Sequence, residues 1–227
     1  LVSPIVFMLS TVHSSTQLIW RMQNAECRMK IAIVGASGTI GRVVVELLER
    51  DHEVIKMGIT SGNVLIDISS RESIRSAFDK VGNIDAIIST AGQVSFKAFG
   101  EYSDQDWEVS LQSKLMGQIR FVEEGLNYLN GGGSVTLTSG ITSDSPIRFG
   151  TSATTVGGAI EFFAKSAGLE APRGIRINVV SPTILEESIP VYGHFFPGFL
   201  TIPAKEVAQS YKRSITGLEN GYTFKCF

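Results

Sequence analysis

"KIAIVGASGTIG" (residues 30–41) decides the fold. "KIAIV" is a short apolar, β-branched run that closes on Gly35, the pattern of a strand buried on both faces of a parallel sheet. The glycines at 35, 38 and 41 follow at once, spaced G-x-x-G-x-x-G, and "TIGRVVVELLER" (39–50) continues with apolar residues at helical spacing. Strand, glycine turn and helix in that order form a phosphate cradle. The first glycine permits a tight turn, the second admits an anion to the backbone, and the third lets helix pack on strand. The N–H groups opening the helix then face the anion.

Outward from this unit the alternation continues. "HEVIKMG" (52–58) and "NVLIDI" (63–68) read as strands, and "RESIRSAFDKVG" (71–82) as a helix closed by Gly82. "NIDAIISTAG" (83–92) is a fourth strand running into a small-residue turn. Ser103 with Asp106 three residues on marks an N-cap, and a long helix is expected from there to about Asn130. "GGSVTLTSG" (132–140) is a fifth strand, 151–170 a helix, and "GIRINVVSP" (174–182) a sixth strand. An aromatic segment, "YGHFFPGFLTIP" (192–203), a helix over 204–214 and a strand over 221–226 complete the chain. Such alternation predicts a single α/β domain with a doubly wound parallel sheet and right-handed crossovers.

Composition narrows the function classes. The chain has 227 residues, 43% apolar and 19% charged, with 20 basic against 22 acidic residues, which suits one globular domain and not a nucleic-acid binder. Cys27 and Cys226 form no disulfide framework, so a reducing, cytoplasmic setting is expected. No apolar run reaches the roughly 18 residues of a membrane span. No metal site is expected. Residues 1–28 read as an extension outside the domain, which is expected to occupy 29–227, with an organelle transit segment as the alternative.

Ligands of such sheets bind at the carboxyl ends of the strands. Those ends carry Asp67–Ile68, Ala91–Gly92, Ser139–Gly140 and Pro182–Thr183. With Gly35, Ser37, Gly38, Thr39, Ile40 and Gly41 they outline a dinucleotide crevice. Asp67 suits either a bond from an adenine amino group or an Asx-type cap on the next helix.

The order and spacing of "GASGTIG", "LIDIS", "STAG", "TLTSG" and "APRGIRINVVSP" together resemble the short-chain dehydrogenase/reductase superfamily from Met29 onward. The resemblance implies a Rossmann-type domain with about seven strands and NAD or NADP across its top. It implies a small carbonyl or alcohol substrate, and a homodimer or homotetramer through helices 104–130 and 151–170. It also implies a catalytic set of Asn, Ser, Tyr and Lys, and here the chain departs. The Ser position matches Ser139. The Asn position holds Lys114. The Tyr position falls at Ser152 or Ala153 and the Lys position at Val156 or Gly157, so that pair is absent.

Two readings stay open: an oxidoreductase whose acid is supplied by another group, or a dinucleotide-binding sensor or partner subunit without turnover. For the first, Lys114 would polarise a carbonyl or feed a water, and Tyr192 or His194 would close over the substrate with Phe195, Phe196 and Phe199. Lys165 lies too far along its helix to stand in for the missing Lys. After the second strand "KMGITSGN" offers neither the acid of NAD users nor the arginine of NADP users. Thr60 and Ser61 are the candidates for a 2′-phosphate, so NADP is slightly favoured over NAD.

Overall fold

A computed structural model describes residues 28–227; the expectations for the amino-terminal extension fall almost wholly outside them. Seven parallel strands form one sheet in the order β3-β2-β1-β4-β5-β6-β7. They are β1 (Lys30–Val34), β2 (Glu53–Gly58), β3 (Val64–Leu65), β4 (Ile84–Ser89), β5 (Leu129–Thr138), β6 (Arg176–Pro182) and β7 (Thr223–Cys226). Strand order reverses between β1 and β4, which opens a crevice at their carboxyl ends.

The side-chain alternation of β1 shows how the sheet is covered. Ile31 and Ile33 face a layer made by α1 (Thr39–Leu48) and, late in the chain, Ala204–Thr216. Ala32 and Val34 face the opposite layer, with Ile74 and Phe78 of α2 (Arg71–Val81), Phe121, and Ile160 of Thr151–Glu170. Phe78 and Phe121 stack with ring centroids 5.2 Å apart. Each such fully buried ring contributes about 1.5–3 kcal/mol.

Three boundaries differ from the sequence reading. The third strand is reduced to Val64–Leu65, because Asp67 turns the chain by accepting from the Ser69 N–H at 2.9 Å. The long helix begins on the expected capping box of Ser103 and Asp106 but is not continuous. It runs as α3 (Asp104–Ser110), a π-helical stretch (Leu111–Met116) and α4 (Gly117–Gly125), and it ends before Asn130. β5 then starts at Leu129. Its pairing with β4 is irregular between Ile84 and Ala86, where the three glycines 131–133 take up the extra length. By contrast α5 (Thr151–Glu170) has the expected ends despite two adjacent glycines, held by buried Ser152, Val156, Ile160 and Ala164. The last helix, α6, spans Ala204–Thr216. No helix among the described residues is long and apolar enough to cross a membrane.

Candidate active site

The glycine turn has the shape its spacing predicts. Gly35 has φ +81°, and a Cβ there would stand 2.8 Å from Thr90 Oγ1. That hydroxyl lies 3.1 Å from the carbonyl oxygens of both Val34 and Gly35, tying the turn to β4. A Cβ on Gly41 would lie 2.0 Å from Gly35 O, so the helix can approach only as glycine. Gly38 caps α1 without a side-chain bond, and no acid occupies the first turn. The N–H groups of Thr39 and Ile40 therefore open toward an anion, with Ser37 exposed beside them. These features fit a dinucleotide pyrophosphate.

Beyond the turn, a groove of about 430 Å³ is lined by Ser37, Arg42, Lys56, Ser61 and Gly62. Lys56 is paired with Glu49 at 2.8 Å. Arg42, which the sequence reading passed over, is exposed and has no ion-pair partner among the described residues. Ser61 belongs to this groove; Thr60 is exposed and does not line it. Asp67 holds both the Ser69 N–H and hydroxyl on one oxygen, an Asx-type turn that leaves the other oxygen without a bond among the described residues. Ile68 is buried and packs on Gly117, so its side chain serves the core and only its backbone is left for a ligand.

Where β4, β5 and β6 end, a cavity of about 180 Å³ brings together Gly92, Lys114, Ser139, Ala153, Gly157 and Thr183. Of the alternatives that spacing left open, Ala153 and Gly157 face this space. Ser152 turns away, its hydroxyl 2.6 Å from Ser95 O, and Val156 is core. The helix is thus beside Ser139, with room where a larger ring and a lysine would stand.

Lys114 sits in the π-helical stretch, a local widening that is common at functional sites. Its stem lies against Gly92, where a Cβ would be 2.7 Å from Lys114 Cδ. Its ammonium has no ion-pair or hydrogen-bond partner among the described residues, and burial lowers its pKa to about 8. Gln118, fully buried, donates to Lys114 O and also bonds Thr138 next to Ser139. Ser139 donates its hydroxyl proton to Glu161 Oε1 at 2.8 Å. Gln118 and Glu161 were both missed from sequence. For Glu161 the signal was present, since it follows Ala153 and Gly157 at steps of four.

An aromatic rim covers the cavity. Phe96, also missed, stacks on Phe195 at 4.9 Å and meets Tyr192 at 5.8 Å. Tyr192 and Phe196 line a second, adjoining space of about 450 Å³. Phe199 packs edge-on against Phe196. His194 lines neither space and instead lies against Phe195. Thr183 fastens the segment by donating to Leu200 O at 2.8 Å. Lys165 is exposed, over the Phe162 ring.

A family model described as enoyl-(acyl carrier protein) reductase matches residues 25–199. The chain belongs to the short-chain dehydrogenase/reductase superfamily. This superfamily comprises NAD(P)-dependent oxidoreductases, and the glycine turn and strand order are its features here. Among curated members, the 3-oxoacyl-[acyl-carrier-protein] reductase FabG of Aquifex aeolicus is 27% identical over 217 residues, which are 91% of this chain and 82% of that protein. Among solved structures, the protein lin1944 from Listeria innocua is 45% identical with a TM-score of 0.86, covering 88% of this chain and all of that one. A small-chain dehydrogenase solved in complex with NADPH shares the fold at 23% identity and a TM-score of 0.78, over 88% of this chain and 96% of that one.

Proposed function

We propose that this short-chain dehydrogenase/reductase acts on the carbonyl or alcohol carbon of a small, largely uncharged molecule, with Lys114 and Ser139 at the reacting oxygen. One observation carries the reading: Lys114 and Ser139, from different elements, line one cavity at the strand ends, beside the helix face emptied by Ala153 and Gly157. The nicotinamide dinucleotide supplies or takes the hydride when bound. Gly35, Gly38 and Gly41 admit its pyrophosphate, Asp67 and the Ile68 backbone border the adenine, and Ala91, Gly92, Pro182 and Thr183 flank the nicotinamide end. NADP is slightly preferred over NAD. Support comes from Arg42, Ser37 and Ser61 around one groove, and from the NADPH complex of the related fold.

Lys114 holds the substrate oxygen in an electropositive corner by donating a hydrogen bond to it. The adjoining space is bounded by Val94, Phe96, Val109, Tyr192 and Phe196, with no charged side chain, which suits an apolar or aromatic substrate. Exposed Phe162 and Leu169 on α5 fit assembly into a homodimer or homotetramer through α3–α4 and α5. The cytoplasm is the compartment this reading implies.

The test begins with thermal shift in NADPH and NADH, followed by absorbance loss with a panel of aldehydes, ketones and quinones. Tighter binding of NADPH that Arg42→Ala abolishes, with turnover on an apolar carbonyl, is the expected result. Dinucleotide binding without turnover on any compound would sink the catalytic reading in favour of a sensor or partner subunit.

A further inference from the structure

Glu161 lies on the same face of α5 as Ala153 and Gly157, one and two turns further along. Its Oε1 accepts from Ser139 Oγ at 2.8 Å and lies 2.5 Å from Ser143 Oγ. Ser143 Oγ is also 2.8 Å from Gly140 O. Among the described residues no cation forms an ion pair with Glu161, but Lys225 of β7, paired with Asp144 at 2.6 Å, lies near enough for the Glu161 charge to help raise its pKa. A Cβ at Gly157 would make only ordinary contact with Ser143, 3.5 Å from its Cβ.

Counting protons shows what this cluster does. Three contacts share two hydroxyl protons when the carboxyl is ionised: both serines donate to Oε1, and Gly140 O goes without the Ser143 proton. When Oε1 carries a proton it donates to one serine: to Ser143, which then donates to Gly140 O, or to Ser139, whose own proton then turns to the cavity. The cluster takes up one proton by turning a hydroxyl, with no heavy atom displaced. With the carboxyl ionised the Ser139 proton points at Glu161, so Ser139 presents lone pairs to the cavity.

We propose that Glu161 is a positioning residue that acts through Ser139 as the site's proton acceptor in alcohol oxidation, in place of the tyrosine absent at Ala153. This rests on the oxidoreductase reading above. In the step, the substrate C–H bond breaks and its hydride, with the electron pair, reduces the dinucleotide. The substrate hydroxyl gives its proton to Ser139 Oγ as the Ser139 proton passes to Glu161. Carbonyl product and protonated Glu161 result, and Glu161 returns its proton to water. Carbonyl reduction runs the same path backward.

The test has two arms. Protein labelled with ¹³C at its glutamate side-chain carboxyls is titrated by NMR without cofactor, and the resonance lost in Glu161→Gln is assigned. Its midpoint is expected to move in Ser139→Ala and in Ser143→Ala. A midpoint unmoved in both overturns the proposal, whether or not turnover exists. In the second arm, alcohol oxidation is followed against pH. Glu161→Gln is expected to lose the acidic limb of the kcat profile and about 10²-fold in kcat, with Glu161→Asp restoring the limb. A Gln variant that keeps the wild-type limb refutes the proposal. A wild type that binds dinucleotide without turnover refutes the oxidoreductase reading instead, while the carboxyl titration still decides the coupling of Glu161 to Ser139.

Discussion

Gln118 holds Thr138 by both of its backbone groups. The Gln118 Oε1 accepts from the Thr138 N–H at 2.9 Å, and its Nε2 donates to Thr138 O at 3.0 Å. The same Nε2 lies 3.0 Å from Lys114 O. A single amide therefore locks the end of β5, one residue before Ser139, to the π-helical stretch that carries Lys114.

Removing that amide leaves buried backbone groups unpaired, at about 1–3 kcal/mol for each. Gln118→Leu is expected to lower the denaturation midpoint in urea and, by loosening Lys114 and Ser139, the groups proposed at the reacting oxygen, to lower kcat more than it raises KM. Parallel urea curves and steady-state kinetics check both. A kcat equal to wild type would show that Lys114 and Ser139 keep their places without the brace.

Lys114 gives a pH dependence with a defined sign. Burial lowers its pKa from about 10.5 to about 8, so its ammonium is lost above that pH. Carbonyl reduction is expected to fall as pH rises through 8, and Lys114→Met to remove that limb along with most of the rate. Stability runs the other way. Between about pH 8 and 10.5 the unfolded chain binds more protons at this site than the folded chain, so this group's contribution to stability grows with pH. Lys114→Met is thus expected to be more stable than wild type at pH 7, which thermal unfolding at pH 7 and pH 10 would show.

Much of the fold was legible because period and punctuation agreed. Alternating Ile31, Ala32, Ile33 and Val34, the three glycines, and Gly82 at φ +72° after α2 each leave a local mark. The site was legible only as far as strand ends reach. Ser139, Gly92 and Thr183 follow from strand register, and Lys114 from its spacing to Gly117. What escaped depends on contacts across elements. Phe96 joins the rim from the loop after β4. Arg42 belongs to a groove closed by the 59–63 turn, which carries no motif. The break in the long helix also left no mark, since "SLQSKLMG" reads as an uninterrupted helix.

His52 offers a second titration, far from the cavity. It is buried, its Nδ1 lacks a partner, and burial lowers its pKa from the usual 6.5. Nearby Asp51 opposes the shift and Lys212 adds to it. Because the folded pKa is depressed, the stability from a neutral His52 is present above about pH 6.5 and is lost as pH falls toward the folded value. The melting temperature should therefore drop more steeply from pH 7 to pH 5 in wild type than in His52→Gln. Equal slopes would remove His52 from the acid sensitivity.

The emptied helix face permits a direct reconstruction. Ala153 and Gly157 line the cavity with Ser139, and their spacing of four is that of the superfamily's Tyr-x-x-x-Lys pair. A Cβ at 157 makes only ordinary contact with Ser143, and replacing glycine within a helix removes about 1 kcal/mol of backbone cost. Ala153→Tyr with Gly157→Lys is therefore expected to fold. If Lys114 and the Glu161–Ser139 relay are a weaker substitute for the tyrosine, the double variant should raise kcat on an apolar carbonyl by about 10-fold or more, within the about 10²–10⁴-fold that a placed general acid contributes. The long side chain that Gly157→Lys introduces also enters the space between α5 and Ser143, so its ammonium should pair with Glu161 and withdraw that carboxylate from Ser139. Adding Glu161→Gln to the double variant should then cost far less than the same change costs in wild type. Steady-state rates of the four proteins, taken as a double-mutant cycle, decide the matter: additive effects would mean that the tyrosine route and the Glu161 route run independently.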